Sequence, residues 1–114
     1  MPGKILVIDD EPLILVAVER ALSRAGYTVT PAGNVKDLAS ALSNAPYDLL
    51  ITDIHLGEES VDSIIQKVKE TSPAIRVIYM SGMENEDGRC DFIEKPFKID
   101  ELRKKVRDML HGPS

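Results

Sequence analysis

The chain has 114 residues, room for one domain around one core. Its net charge of −5 excludes a general binder of nucleic acid or of an anionic membrane surface, since both need a basic face. With 43% hydrophobic and 29% charged residues, and no apolar run near the roughly 20 residues of a membrane span, it has the composition of a water-soluble globular protein. Met1 to Lys4 run straight into a strand-like segment with no signal peptide, and the single cysteine, Cys90, has no internal disulfide partner. A cytoplasmic location is therefore expected.

The apolar period alternates between strand and helix. Ile5 to Ile8 is a continuous apolar run rich in β-branched residues, the pattern of a strand buried on both faces. Pro12 opens a helical stretch whose stripe is Ile14, Ala17, Ala21 and Ala25, and Gly26 closes it. Tyr27 to Thr30 reads as a second strand. Asn34 caps a helix striped by Val35, Leu38, Leu42 and Ala45. Leu49 to Thr52 is a third strand. Val61, Ile64, Ile65 and Val68 line a helix that Ser72-Pro73 ends. Ile75 to Met80 is a fourth strand and Phe92-Ile93 a short fifth. Ile99, Leu102, Val106, Met109 and Leu110 line a last helix before Gly112-Pro113. Buried strands alternating with helices predict an α/β doubly wound parallel sheet. The sequence is read as one domain over 1–114 with no output domain.

The polar residues at the strand ends carry the chemistry. Asp9 and Asp10 follow strand one, Asp53 strand three, Ser81 strand four and Lys95 strand five. Ligands of open parallel sheets bind outside the carboxyl ends of the strands, where strand order reverses. If strands one and three are neighbours, all five residues converge there. Any one of these acids alone is more simply a helix cap, and Lys95 alone a solvated loop lysine. All five at strand ends of one alternating pattern are not so explained. Three crowded carboxylates repel one another, and a divalent cation relieves them. Hard oxygen donors without a His/Cys pair select Mg²⁺ or Mn²⁺. A carboxylate can be the nucleophile in phosphoryl transfer, which needs mainly positioning and charge neutralisation. Mg²⁺ and Lys95 would supply the positive charge, and the Ser81 hydroxyl can donate to a phosphoryl oxygen.

The sequence resembles the receiver domains of bacterial response regulators over nearly its whole length. Ile8-Asp9-Asp10-Glu11-Pro12, Leu50-Ile51-Thr52-Asp53, Tyr79-Met80-Ser81-Gly82 and Phe92-Ile93-Glu94-Lys95-Pro96-Phe97 carry the resemblance. It implies a five-stranded sheet of flavodoxin-like order 2-1-3-4-5 and a phosphoryl group accepted on Asp53 from a sensor histidine kinase or phosphotransfer protein. It also implies Mg²⁺ held directly by Asp10, Asp53 and the backbone carbonyl of His55, with Asp9 acting through water. Ser81 and Phe92 would be the switch residues, Ser81 moving toward the phosphoryl group as the Phe92 ring turns inward. The protein would then signal or relay the phosphoryl group, with slow autodephosphorylation rather than enzymatic turnover.

The sequence departs from the family pattern at Gly57, at Val61 and between strands four and five. Gly57 and Val61 stand where proline and glycine are common. His55, two residues past Asp53, reads as an exposed loop side chain that could influence water attack on the phosphoryl group. Residues 82–90 are all that separate strands four and five, fewer than the roughly 10–12 a crossover with its helix needs. The helix between them is expected to be missing or reduced to about one turn. That loss would leave an apolar patch on strands four and five (Ile75, Val77, Ile78, Phe92, Ile93), so a homodimer through these strands is expected, with exchange of Asp91 to Leu110 as a further expectation.

Two other functions fit the pattern less well. A Mg²⁺-dependent aspartyl-phosphate phosphohydrolase needs a substrate pocket and usually a cap insertion, for which 114 residues leave little room. A nucleotide or flavin binder wants a glycine-rich turn after strand one, where Asp9-Asp10-Glu11-Pro12 places negative charge instead.

Overall fold

The computed structural model describes residues 3–56, 60–82 and 91–112. In chain order they form β1 (Lys4–Ile8), α1 (Pro12–Arg24), β2 (Thr28–Ala32), α2 (Val35–Ala41), β3 (Leu49–Asp53), α3 (Val61–Thr71), β4 (Arg76–Ser81), β5 (Phe92–Glu94) and α4 (Ile99–His111). A 3₁₀ turn, Leu42–Asn44, extends α2. All strand pairs are parallel, in the order β2-β1-β3-β4-β5. The predicted α/β class and strand order are both found.

Alternation along the strands divides the core in two. Ile5 and Val7, Leu49 and Ile51, and Ile78 and Met80 pack on the side of α1 and α4, against Val18, Leu22, Leu102 and Val106. Leu6, Ile8 and Leu50 point the other way and meet Leu38 of α2 and Ile64, Ile65 and Val68 of α3. A sheet covered on both faces has no polar side for its central strands, so β1 and β3 read as unbroken apolar runs.

The helix ends follow the predicted chemistry. The Asn34 side chain accepts the Asp37 N–H at 2.8 Å. Ser60, not foreseen as a cap, accepts the Ser63 N–H at 3.1 Å. Gly26, at φ 100°, takes the left-handed turn after α1 that a side chain would resist. The predicted stripe of α1 is corrected. Val18, Ala21 and Leu22 are its buried residues, while Ala17 and Ala25 are exposed. Val18, Ala21 and Leu22, with Ile14 and Leu15 packed beside them, share one face at helical spacing, and Ala17 falls off it.

The shortened crossover and Gly57 lie outside the described residues, apart from exposed Gly82 at the end of β4. The expected apolar patch on β4 and β5 is not found among the described residues. Ile75, Ile78 and Ile93 are buried, and Val77 and Phe92 are half-buried.

Candidate functional site

The ladder between β1 and β3 builds the site. Ile8 pairs with Thr52, so Asp9 and Asp53, the next residues, come abreast. Each then makes the same local bond. Asp9 Oδ1 accepts the N–H of Glu11 at 2.9 Å, and Asp53 Oδ1 accepts the N–H of His55 at 2.9 Å. An aspartate that bonds the backbone two residues on closes a tight turn and fixes its own rotamer. The Oδ2 atoms are left, and both accept from Lys95: Nζ donates to Asp9 Oδ2 at 2.7 Å and to Asp53 Oδ2 at 2.9 Å. Lys95 reaches them because its backbone N–H donates to the Ser81 carbonyl at 2.7 Å, which ties the end of β5 to that of β4.

Burial separates the acids. Asp9 is fully buried and Asp53 nearly so, while Asp10 and Glu11 are exposed. Carboxylate oxygens of Asp9, Asp10, Glu11 and Asp53 nonetheless lie within 4.8 Å of one another. Burial raises the pKa of Asp9 above its ordinary 3.8, despite the hydrogen bonds from Lys95 and the Glu11 N–H. Burial also works against the charge on Lys95, but the hydrogen bonds and negative charge of Asp9 and Asp53 outweigh it and push its pKa up to about 12. At neutral pH the lysine is a fixed cation. Glu11 adds a longer contact to it at 3.5 Å.

Asp10, Glu11 and Asp53 border an open cleft of about 530 Å³ whose walls also include His55, Gly82 and Lys95. An all-oxygen donor set around such a cleft suits a hard divalent cation. Asp10 does not cap α1. Its N-cap is Glu11, and no side chain caps it. Ser81 is buried at the end of β4, next to Gly82. Phe92 is half-buried at the start of β5, paired with Tyr79, and is not among the described residues lining the cleft. His55 is exposed, as expected. Sequence reasoning did not place Glu11 among the candidate ligands. Its position after two aspartates at a strand end was the available signal.

The fold and this acid cleft define a doubly wound α/β protein with its site at the strand ends. Residues 5–107 match the response regulator receiver domain family, and the chain belongs to it. The chain is 35% identical over 108 residues to the DNA-binding transcriptional regulator NtrC of Bradyrhizobium, covering 88% of this chain and 22% of that protein. It spans similarly small parts of other NtrC proteins, 22% of that from Rhizobium meliloti and 24% of that from Azospirillum brasilense. Among solved structures, a response regulator from Thermotoga maritima superposes with a TM-score of 0.82 at 28% identity, over 96% of this chain and 98% of that one. NtrX from Brucella abortus superposes with a TM-score of 0.85 at 30% identity, over 96% of this chain and 27% of that one. The protein is thus a receiver domain of the two-component response regulators, a family of phosphoacceptor signalling modules. No helix among the described residues is long and apolar enough to cross a membrane.

Proposed function

We propose that Asp53 accepts a phosphoryl group from the phosphohistidine of a sensor kinase or phosphotransfer protein, in a Mg²⁺-dependent reaction, and that the chain acts as a conformational switch or relay in the cytoplasm. The observation that carries this reading is the convergence of two buried carboxylates on one lysine beside two further acids. In the transfer, a bond forms between an Asp53 oxygen and phosphorus while the bond from phosphorus to the donor's imidazole nitrogen breaks. Asp53 is held for attack by the His55 N–H and by Lys95. A divalent cation would be held by Asp10, Asp53 and the His55 carbonyl, with Asp9 through water, and would supply positive charge for the phosphoryl oxygens; Glu11 adds negative charge beside it. Lys95 donates to the transferred group as its bonds to Asp9 and Asp53 exchange. Ser81 sits on the strand whose end Lys95 bonds, so movement of the lysine is passed to β4 and on to Phe92.

Asp53→Asn keeps the shape and removes the nucleophile. With a small phosphodonor and Mg²⁺, wild type should gain one phosphoryl group and lose it slowly, and the variant should gain none. Uptake by the variant at the wild-type rate would falsify the assignment, and continuous turnover by wild type would favour a phosphohydrolase.

Self-association through β4 and β5, with exchange of Asp91 to Leu110, belongs to the same reading. Its support is that β5 lies at the sheet edge and Lys95 follows it directly, so a β5 exchanged between chains would carry the lysine with it. Exchange would complete each site with the partner's lysine. Mixing Asp53→Asn with Lys95→Ala chains should then restore one intact site per mixed dimer. Mixed dimers without recovered response would reject exchange, and a monomer in light scattering at micromolar concentration would reject the dimer.

A further inference from the structure

A second cavity shares Asp10 with the acid cleft. It has a volume of about 240 Å³ and is walled mainly by Ile8, Val35, Leu38, Leu56 and Ile64, and Asp10 is the charged residue among the described ones that line it. Ile8, Leu38 and Ile64 form its buried floor, and exposed Val35 and half-buried Leu56 stand nearer the surface. The volume exceeds the roughly 150 Å³ that holds benzene, so one aromatic ring with a short chain fits this space.

The charge of Asp10 decides the class of ligand. Lys95 lies within 4 Å of Asp9, Glu11 and Asp53, and Asp10 has no cation partner among the described residues. An anion would be repelled, and an ammonium gains an ion pair with this exposed carboxylate that a neutral ligand does not. A bare metal ion would leave the apolar walls unfilled. We propose that this pocket binds a small organic monocation, an arylalkylammonium, with its ring on Ile8, Leu38, Leu56 and Ile64 and its charge at Asp10. Because Asp10 walls both the pocket and the acid cleft, the ligand opposes divalent-cation binding. The coupling rests on the role of Asp10 proposed above; the pocket itself does not.

The test uses the full chain with 2-phenylethylammonium as probe, following the methyl resonances of Ile8, Leu38, Leu56 and Ile64 without metal. Saturable shifts are expected. 2-Phenylethanol, of equal size but neutral, should bind about threefold more weakly, the worth of an exposed ion pair. Ethylammonium, charged but without a ring, should leave the Leu38 and Ile64 methyls unmoved. Asp10→Asn should abolish the preference for the amine, and Val35→Trp should weaken both aryl ligands by crowding the mouth. Absence of saturable shifts at Leu38 and Ile64 overturns the pocket, and equal binding of amine and alcohol to wild type overturns the monocation as its ligand. In a Mg²⁺ titration the saturating amine should lower the apparent metal affinity, and unchanged affinity overturns the coupling. The Mg²⁺ affinity of Asp10→Asn without amine separates that outcome from failure of the Asp10 role itself.

Discussion

Two lysine–aspartate contacts in this protein have the same length, yet the two acids shift in opposite directions. Lys95 Nζ lies 2.7 Å from Asp9 Oδ2, and Lys104 Nζ lies 2.7 Å from Asp108 Oδ2. Asp108 is on the surface of α4, and its pKa falls below 3.8 because the hydrogen bond from Lys104 favours the carboxylate. Asp9 has no solvent contact, and its pKa rises because burial costs more than the contact returns. Distance therefore does not rank these pairs; the medium does. Lys95 is also shared among three carboxylates, which saturates the lysine and leaves each acid only part of its charge. The buried acids are held in place with an unmet demand for positive charge, which favours uptake of a further cation.

The sharpest way to break this comparison is to remove each lysine. Lys95→Ala strands two buried carboxylates and should lower metal-free stability by about 3 kcal/mol, read by urea unfolding. Mg²⁺ should recover part of that loss. The variant should still be phosphorylated to some degree, but the spectral changes around Ser81 and Phe92 should disappear. A phosphorylation response identical to wild type would remove Lys95 from the switch. In wild type, a lysine raised from 10.5 to about 12 stabilises the fold fully below pH 10.5, and that contribution is lost as pH rises through about 12.

A smaller effect separates the acids by exposure. Asp9→Ala should weaken Mg²⁺ binding about tenfold, as expected of a group acting through water, and Asp10→Ala should weaken it more. Equal losses in calorimetric titration would remove the distinction between direct and water-mediated roles.

The least effect is expected at the surface. Lys104→Ala should barely move the melting temperature and should raise the titration midpoint of Asp108, measured by NMR. A lowered carboxylate stabilises the fold above pH 3.8 and loses that contribution as pH falls through its folded value, so the difference between wild type and variant should vanish in acid. A large melting shift would show that the two pairs are closer in kind than their burial implies.

Much of this protein was legible before folding. The runs Ile5 to Ile8 and Leu49 to Thr52, the cap at Asn34, the turn at Gly26 and the strand-end positions of Asp9, Asp10, Asp53, Ser81 and Lys95 follow from period and local chemistry. These are properties of neighbouring residues, and a sequence carries them directly. Other features were settled only in three dimensions. Which residues of α1 reach the sheet depended on the rotation of the helix against it, which turns Val18, Ala21 and Leu22 inward and Ala17 outward. The half-burial of Val77 and Phe92, the fourth acid at Glu11 and the cavity between Leu38 and Ile64 depend on how separate elements pack. The sequence placed the five site residues at strand ends, but not the sharing of Lys95 between Asp9 and Asp53. That requires the β1–β3 register and the bond from the Lys95 N–H to the Ser81 carbonyl, long-range contacts that exist only once the sheet has formed.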